Sequence, residues 1–439
     1  MSLVEQVRQA GVVGAGGGGF PTHVKVAGKA DMVIANGAEC EPLLYKDAAV
    51  MEHRATEIVA GILLVMQAVG AKEGVIGIKA KKKNAIDAVR GACQGTHLRI
   101  HLLGDYYPAG DEYELVNAVT GRLIPPQGIP LQVGIVVNNV ETLANIAAAA
   151  KGTPVTQKTI TLAGAVVNPL TITVPLGTTF REAIKAAGGA TTDDPVLCIG
   201  GLMMGQTTDN LDTPITKTSA GAVILPRSHF VIQRKLKPDP LKARIGKSAC
   251  DQCRYCTELC PRYLLGYALE PHQVMRSLAF TATDRNYWNK MAVNCCACGL
   301  CTLYACPESL FPKEACDASK TEMRAANIKW TGSTPTRPHA MHYGRRVPIK
   351  LLMQKLNIDK YDSPALWQDI AVTARKLILP LKQGAGVSNM PVVQKGDHVE
   401  AGQPLGKIST KDLGAIIHSP ITGTVTELTN DYITLTRRA

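Results

Sequence analysis

Two cysteine runs constrain this 439-residue chain more than any other feature. The first reads Cys250-Asp-Gln-Cys253-Arg-Tyr-Cys256-Thr-Glu-Leu-Cys260-Pro261, a C-x2-C-x2-C-x3-C-P spacing. Three thiolates that close together grip one side of a cubane iron–sulfur cluster, while the fourth, ahead of a proline, is free to reach elsewhere. The second run, Cys295-Cys296-Ala-Cys298-Gly-Leu-Cys301-Thr-Leu-Tyr-Ala-Cys306-Pro307, repeats the core through Cys295, Cys298 and Cys301 but has four residues before its last cysteine.

This is the pattern of bacterial two-cluster ferredoxins, in which three close cysteines hold one cube and the fourth crosses to the other. On that plan Cys250, Cys253, Cys256 and Cys306 hold one [4Fe–4S] cluster, and Cys295, Cys298, Cys301 and Cys260 hold its partner. The extra residue before Cys306 is tolerable because a remote ligand is positioned by its own segment. Cys296 is left as a spare thiol. The competing chemistry is a pair of structural zinc sites, usually built from two C-x2-C pairs set apart. The doubled triple spacing with its Cys-Pro ends favours clusters.

The length suggests about three domains, and 46% hydrophobic residues suffice for ordinary cores. No apolar run approaches the roughly 20 residues a membrane span needs; the longest, Ile58 to Val69, carries Gln67. The N-terminal stretch Met1 to Ala10 contains Glu5 and Arg8 and lacks the apolar core of a secretory signal, so the expectation is an intracellular protein. Its 13 cysteines then read as metal ligands and reduced thiols, with Cys40, Cys93, Cys198 and Cys316 as small buried hydrophobes. The formal charge is +12, but the basic residues are scattered apart from Lys79 to Lys83 and Arg345-Arg346, and aromatics are only 5%. Little is available for base stacking, which argues against nucleic acid and for an anionic nucleotide or acidic partner.

The first 150 residues alternate strand and helix patterns. Strands are expected at Asp31 to Ala35, Gly74 to Lys79 and His97 to Leu103, with helices at Met51 to Val69 and Lys83 to Cys93. Such alternation predicts a parallel α/β sheet. Ahead of it stands Gly14-Ala-Gly-Gly-Gly-Gly19-Phe20-Pro21-Thr22, either a phosphate loop or a flexible linker. Asn36-Gly-Ala-Glu39-Cys40-Glu41-Pro42 and Val137-Asn138-Asn139-Val140-Glu141-Thr142-Leu143 each follow a strand, where open α/β sheets bind ligands. Asn side chains there suit a flavin ring or ribityl chain, and Lys25 suits a phosphate. Helix capping is the alternative role for Asn139.

Together these three segments resemble the flavin-binding domain of the NADH-oxidising subunit of respiratory complex I and of its relative in the Rnf complex. The family patterns are G-x-G-G-A-G-F-P-T, N-x-x-E-x-E-P and N-N-V-E-T-L; here Gly18 replaces the usual Ala, and Ala38 stands where complex I has Asp. The resemblance implies that Gly16, Gly17, Gly19, Lys25, Asn36, Glu39, Asn138 and Asn139 line a non-covalent FMN. It further implies that Tyr107-Pro-Ala-Gly110-Asp111-Glu112 holds nicotinamide beside the flavin through Gly110 and Glu112, although a cap-and-turn role fits Gly110-Asp111-Glu112 as well.

From Thr159 to Leu225 short strands (Thr159 to Ala163, Leu170 to Val174, Ala222 to Leu225) surround a helix, Phe180 to Ala187, which is similar to the β-grasp module that follows the flavin domain in this family. Met203-Met204-Gly205 is expected in its core. Gln233 to Lys247, with Pro238 and Pro240, reads as a basic linker. Tyr263 to Leu278 and Arg285 to Val293 are helical in pattern, with Tyr255, Tyr263 and Tyr304 shielding the clusters. The last segment, with Gly396-Asp397, Gly402, Gly406 and His418-Ser419-Pro420-Ile-Thr-Gly423, resembles the barrel-sandwich hybrid of lipoyl carriers; its Lys411-Asp412 reverses the carrier order, so no modification is expected.

The expected fold is therefore multidomain α/β + β. It comprises a Rossmann-like FMN/NADH domain (1–152), a β-grasp module (153–232), a ferredoxin-like helical two-cluster domain (233–330), a connecting segment (331–375) and a C-terminal barrel-sandwich hybrid (376–439). This domain order resembles the cobalamin reductases of propanediol-utilisation microcompartments. That likeness implies electron flow from NADH through FMN and two [4Fe–4S] clusters to a cobalamin substrate, an adenosyltransferase partner, and residence among microcompartment shell or lumen proteins. An Rnf-type or diaphorase component serving a protein acceptor is the alternative. His418 as a cobalt ligand competes with a core or surface role.

Overall fold

Val, Ile and Ala runs buried on both faces build a four-stranded parallel sheet in the spatial order Arg99–Leu103, Glu73–Lys79, Met32–Gly37, Ile135–Asn139. The computed structural model describes residues 1–279 and 288–437. Parallel register sets Ala35 opposite Asn138 and Asn36 opposite Asn139, so the asparagines gather at the carboxyl ends of the two central strands. The helix expected from Met51 to Val69 is two helices, Lys46–His53 and Ala55–Val69. Arg54 leaves the helical region at φ −131°, ψ 30°, and the turn directs Lys46 and Asp47 inward.

A second sheet follows, in the order Leu170–Pro175, Gln157–Gly164, Gly221–Pro226, Pro195–Ile199, Gln206–Thr208, with Phe180–Ala186 packed on it. Only the pairing of Gly221–Pro226 with Gln157–Gly164 is parallel.

The linker expected from Gln233 to Lys247 is instead largely helical, as Phe230–Leu236 and Asp239–Ala249. Pro238 and Pro240 flank the start of the second helix, where a missing N–H costs nothing, so they begin a helix and do not break one. The helical stretch expected from Tyr263 to Leu278 is likewise two short helices, Pro261–Leu264 and Pro271–Ser277. Of the expected Arg285 to Val293 helix, residues 285–287 lie outside the described residues, and Lys290–Asn294 is a 3-10 turn.

The C-terminal module pairs Lys376–Pro380, Tyr432–Arg437, Gly423–Leu428 and His398–Val399 in one sheet and Met390–Pro391 with Gly406–Lys407 in another. Its core residues, including Leu405, Ile417 and Leu435, are continuous with Val7, Val12 and Ile58 of the N-terminal domain. Among the described residues no helix is long and apolar enough to cross a membrane.

Candidate functional site: a flavin pocket joined to two cysteine clusters

The glycine run closes on itself. Gly14 N–H donates to the Phe20 carbonyl at 2.9 Å and Gly19 N–H to the Gly14 carbonyl at 3.1 Å, with Gly17 and Gly19 at φ +106° and +59°. Between these ties Gly16, Gly17 and Gly18 are exposed, and among the described residues their amides meet no acceptor. A Cβ on Gly17 or Gly18 would project into open space. Asn138 is buried, yet its Nδ2 has no partner. An unfilled buried donor beside free loop amides is what a flavin with a phosphate tail would satisfy.

The remaining expected flavin residues surround that space. Asn36 Nδ2 donates to the Gly110 carbonyl at 2.9 Å. Lys25 Nζ reaches Glu112 at 3.2 Å and the Val137 carbonyl at 3.0 Å. Asn139 caps helix Val140–Ala150 through Oδ1 and donates from Nδ2 to Asp47 at 2.9 Å, so capping and site-lining roles coexist. Glu39 accepts the Asp47 N–H at 3.0 Å; burial and the Asp47 charge lift its carboxyl to about 7.

Beneath the loop lies a charge cluster that motif reading missed. Buried Lys46 meets Asp47 at 2.6 Å and Glu141 at 3.1 Å, and Lys158 Nζ joins Glu141 at 2.5 Å and the Ala15 carbonyl at 2.9 Å. Burial opposes the Glu141 charge, but Lys158 and Lys46 outweigh it and hold the carboxyl at about 2. The available signal was Glu141 itself, the one acid of the N-N-V-E-T-L segment.

The cysteines gather into two groups. Cys250, Cys253, Cys256 and Cys306 line one cavity of about 340 Å³ together with Gln252, Arg254, His272 and Met275. Gln252 Nε2 donates to Cys250 Sγ at 3.1 Å, and Leu310 N–H to Cys306 Sγ at 3.3 Å. In the second group Cys301 has Cys295, Cys260 and Cys256 as electrostatic neighbours, and Cys298 has Cys296, Cys301 and Cys260. Ala297 N–H donates to Cys295 Sγ at 3.3 Å, and the Cys316 thiol lies within hydrogen-bond reach of Cys295. Thiolate donors drawn into two sets suit two cubane clusters. Cys296 thus sits against the second group and not apart from it.

Several side expectations differ. Cys198 and Cys316 are buried, whereas Cys40 and Cys93 are only half-buried. Met203 is in the core but Met204 is 53% exposed; the Met203 and Met204 amides point at Glu41, which accepts them at 2.9 and 2.8 Å. Tyr255 is 49% exposed and shields little. His418 is buried inside the C-terminal module, where burial and nearby Lys217 depress its basicity to about 3.

Three contacts join flavin side and cluster side. Tyr107 is buried and its hydroxyl donates to the Cys298 carbonyl at 2.7 Å. Arg262, two residues beyond Cys260, pairs with Asp111. A Cβ on Gly299 would stand 3.1 Å from the Met203 carbonyl, placing the Glu41-bound segment against the second cysteine loop. From the connecting segment, His342 meets Glu114 at 3.1 Å and Arg346 lies over the Tyr106 ring at 4.2 Å.

Four family models match in succession: the Nuo51 FMN-binding domain at residues 7–148, the SLBB domain at 159–207, a 4Fe-4S dicluster domain at 249–311 and the RnfC barrel sandwich hybrid domain at 363–438. The cobalamin reductase PduS of Citrobacter freundii is 40% identical over 437 residues, 99% of this chain and 96% of that protein. The chain belongs to the PduS family. Its Salmonella typhimurium relative, also named cobalamin reductase PduS, is 41% identical over 99% of this chain and 96% of its own length. The RnfC-type component of the proton-translocating ferredoxin:NAD(+) oxidoreductase complex of Clostridium ljungdahlii is 38% identical over 59% of this chain and 55% of its own length. The fold is similar to that of a solved NAD+-reducing [NiFe]-hydrogenase in the H2-reduced state, with a TM-score of 0.51 and 21% identity over 76% of this chain and 63% of that one. The family is thus a multidomain α/β oxidoreductase with FMN-binding, SLBB, dicluster and barrel-sandwich parts.

Proposed function

We propose that this protein passes electrons from NADH to cobalamin, reducing Co(III) and Co(II) to Co(I) for propanediol utilisation. The observation that carries this reading is the end-to-end identity of 40% with a cobalamin reductase. FMN accepts a hydride pair and the two [4Fe–4S] clusters take electrons singly. The chain's own tasks follow from its geometry. Gly16, Gly17 and Gly19, with Asn36, Glu39, Asn138 and Asn139, bind and orient the flavin, while Lys25 pairs with Glu112 at its edge. Gly110 and Glu112 hold the nicotinamide. Tyr107 and Arg262 fix the flavin-side segment against the loops of Cys298 and Cys260. Cys250, Cys253, Cys256 and Cys306 hold one cluster, and Cys260, Cys295, Cys298 and Cys301 the other.

On this reading residues 1–152 are Rossmann-like, 153–232 a β-grasp module and 233–330 a ferredoxin-like helical domain, with the barrel-sandwich hybrid at 376–439. The partner is an adenosyltransferase that consumes Co(I), and the protein sits in the cytoplasm inside a microcompartment, among its shell or lumen proteins. A second reading, delivery of electrons to a protein acceptor as an Rnf-type or diaphorase component, is favoured by the 38% identity with the Clostridium ljungdahlii protein over 59% of the chain.

The test is anaerobic purification, an assay for FMN and about eight irons per chain, and mixing with NADH before and after hydroxocobalamin. Bleaching that recovers as Co(II) appears supports cobalamin as acceptor. Bleaching that persists despite the corrinoid selects the protein-acceptor reading. Full cofactor content with no bleaching by NADH sinks the role of Gly110 and Glu112.

A further inference from the structure

The C-terminal barrel takes no part in the chemistry above, yet it touches the glycine run. Ala385, in the loop between Lys376–Pro380 and Met390–Pro391, donates its N–H to the Gly19 carbonyl at 2.9 Å. A Cβ on Gly19 would stand 2.8 Å from Gly384 Cα and 2.7 Å from Thr218 Cγ2, so only glycine allows this approach. Next to Thr218, buried Lys217 donates from Nζ to the carbonyls of Gly11 and of Ile416 in the barrel, both at 2.7 Å. The Lys217 N–H in turn donates to barrel residue Gln383 at 3.2 Å. Both flanks of the run, at Gly11 and Gly19, are thus tied to the barrel, while the middle, Gly16 to Gly18, is left exposed with free amides.

We propose that the barrel is a clamp on the cofactor loop: the Ala385–Gly19 and Lys217–Gly11–Ile416 contacts preorganise the glycine run to receive FMN. The inference rests on the FMN reading above and gives the barrel a role in flavin retention through residues flanking the loop. A glycine-rich loop has more conformational freedom to lose than any other, so holding it in its bound shape beforehand removes much of the cost of capturing a ligand. Fixing only the flanks leaves the central amides unspent for that ligand. Ala385 and Lys217 are positioning residues, acting through Gly19 and Gly11.

The test is an FMN titration of flavin-depleted full-length protein by flavin fluorescence, with iron content and thermal unfolding measured on the same samples. Ala385→Pro removes the N–H donor, whereas Ala385→Gly keeps it. Lys217→Met breaks the second tie at a distance from the first. Ala385→Pro and Lys217→Met are each expected to weaken FMN binding roughly tenfold, the equilibrium cost of about one hydrogen bond, with iron content at the parent level; Ala385→Gly is expected to bind as the parent does. FMN affinity within about twofold of the parent in both Ala385→Pro and Lys217→Met overturns the clamp. Equal weakening in Ala385→Gly and Ala385→Pro also overturns it, because the N–H would then be irrelevant. Failure of the parent itself to bind FMN overturns the flavin reading and the clamp with it.

Discussion

Arg262 grips Asp111 with two hydrogen bonds, Nη1 to Oδ1 at 2.6 Å and Nη2 to Oδ2 at 3.1 Å, and lays its guanidinium over the Tyr113 ring, 3.7 Å from the centroid. Asp111 simultaneously caps the helix Glu112–Thr120. The pair therefore couples a segment two residues from Cys260 to the segment of Gly110 and Glu112, and it does so largely out of water, with side-chain exposures of 8% and 15%.

Removing one member of such a pair leaves the other charge buried. Arg262→Ala is expected to cost about 3–5 kcal/mol of stability. Arg262→Lys should recover only part of the loss, since an ammonium cannot reproduce the two-pronged contact or the stacking. Urea unfolding of the two variants beside the parent reads this directly. A loss below about 1 kcal/mol for Arg262→Ala would mean that the pair behaves as a solvent-screened surface bridge.

Cys296 and Cys298 are close neighbours with different assignments. Cys298→Ser is expected to lose one cluster, about four irons per chain, while Cys296→Ser keeps the parent iron content. Iron and acid-labile sulfide assays on anaerobically prepared protein decide the matter. Equal losses from the two would overturn the ligand set.

Lys217 is fully buried with two carbonyl partners and no carboxylate, and burial pulls its pKa from 10.5 down to about 7. A neutral amine still has a proton for each carbonyl. Between about pH 7 and 10.5 the unfolded chain binds this proton and the folded one does not, so stability should rise with pH across that window and the penalty is fully present below it. Thermal unfolding from pH 7 to 10 should show the slope in the parent and a flatter profile in Lys217→Met. Identical slopes would mean that Lys217 is charged in the folded protein.

The cysteine groups were legible because spacing within a short loop sets which thiols can converge, and Cys250, Cys253, Cys256 and Cys306 do line one cavity. The strands at Met32–Gly37, Glu73–Lys79 and Ile135–Asn139 were legible for a similar reason, their burial on both faces demanding continuous apolar runs. Pro238 and Pro240 misled because a proline opening a helix and a proline in a linker look alike without the turn that follows.

What the sequence alone determined is chemistry carried by local spacing: cluster-forming cysteines, a glycine run free to take positive φ, and asparagines at strand ends. Tertiary structure alone decided how these parts meet. Arg262 finds Asp111 across 151 positions, Lys217 bridges Gly11 and Ile416, and Glu41 receives the Met203 and Met204 amides. Periodicity reports which face of a segment is buried, but not which segment covers it. Those partners are chosen by the docking of whole domains, where an unpaired buried charge or amide is too costly to leave.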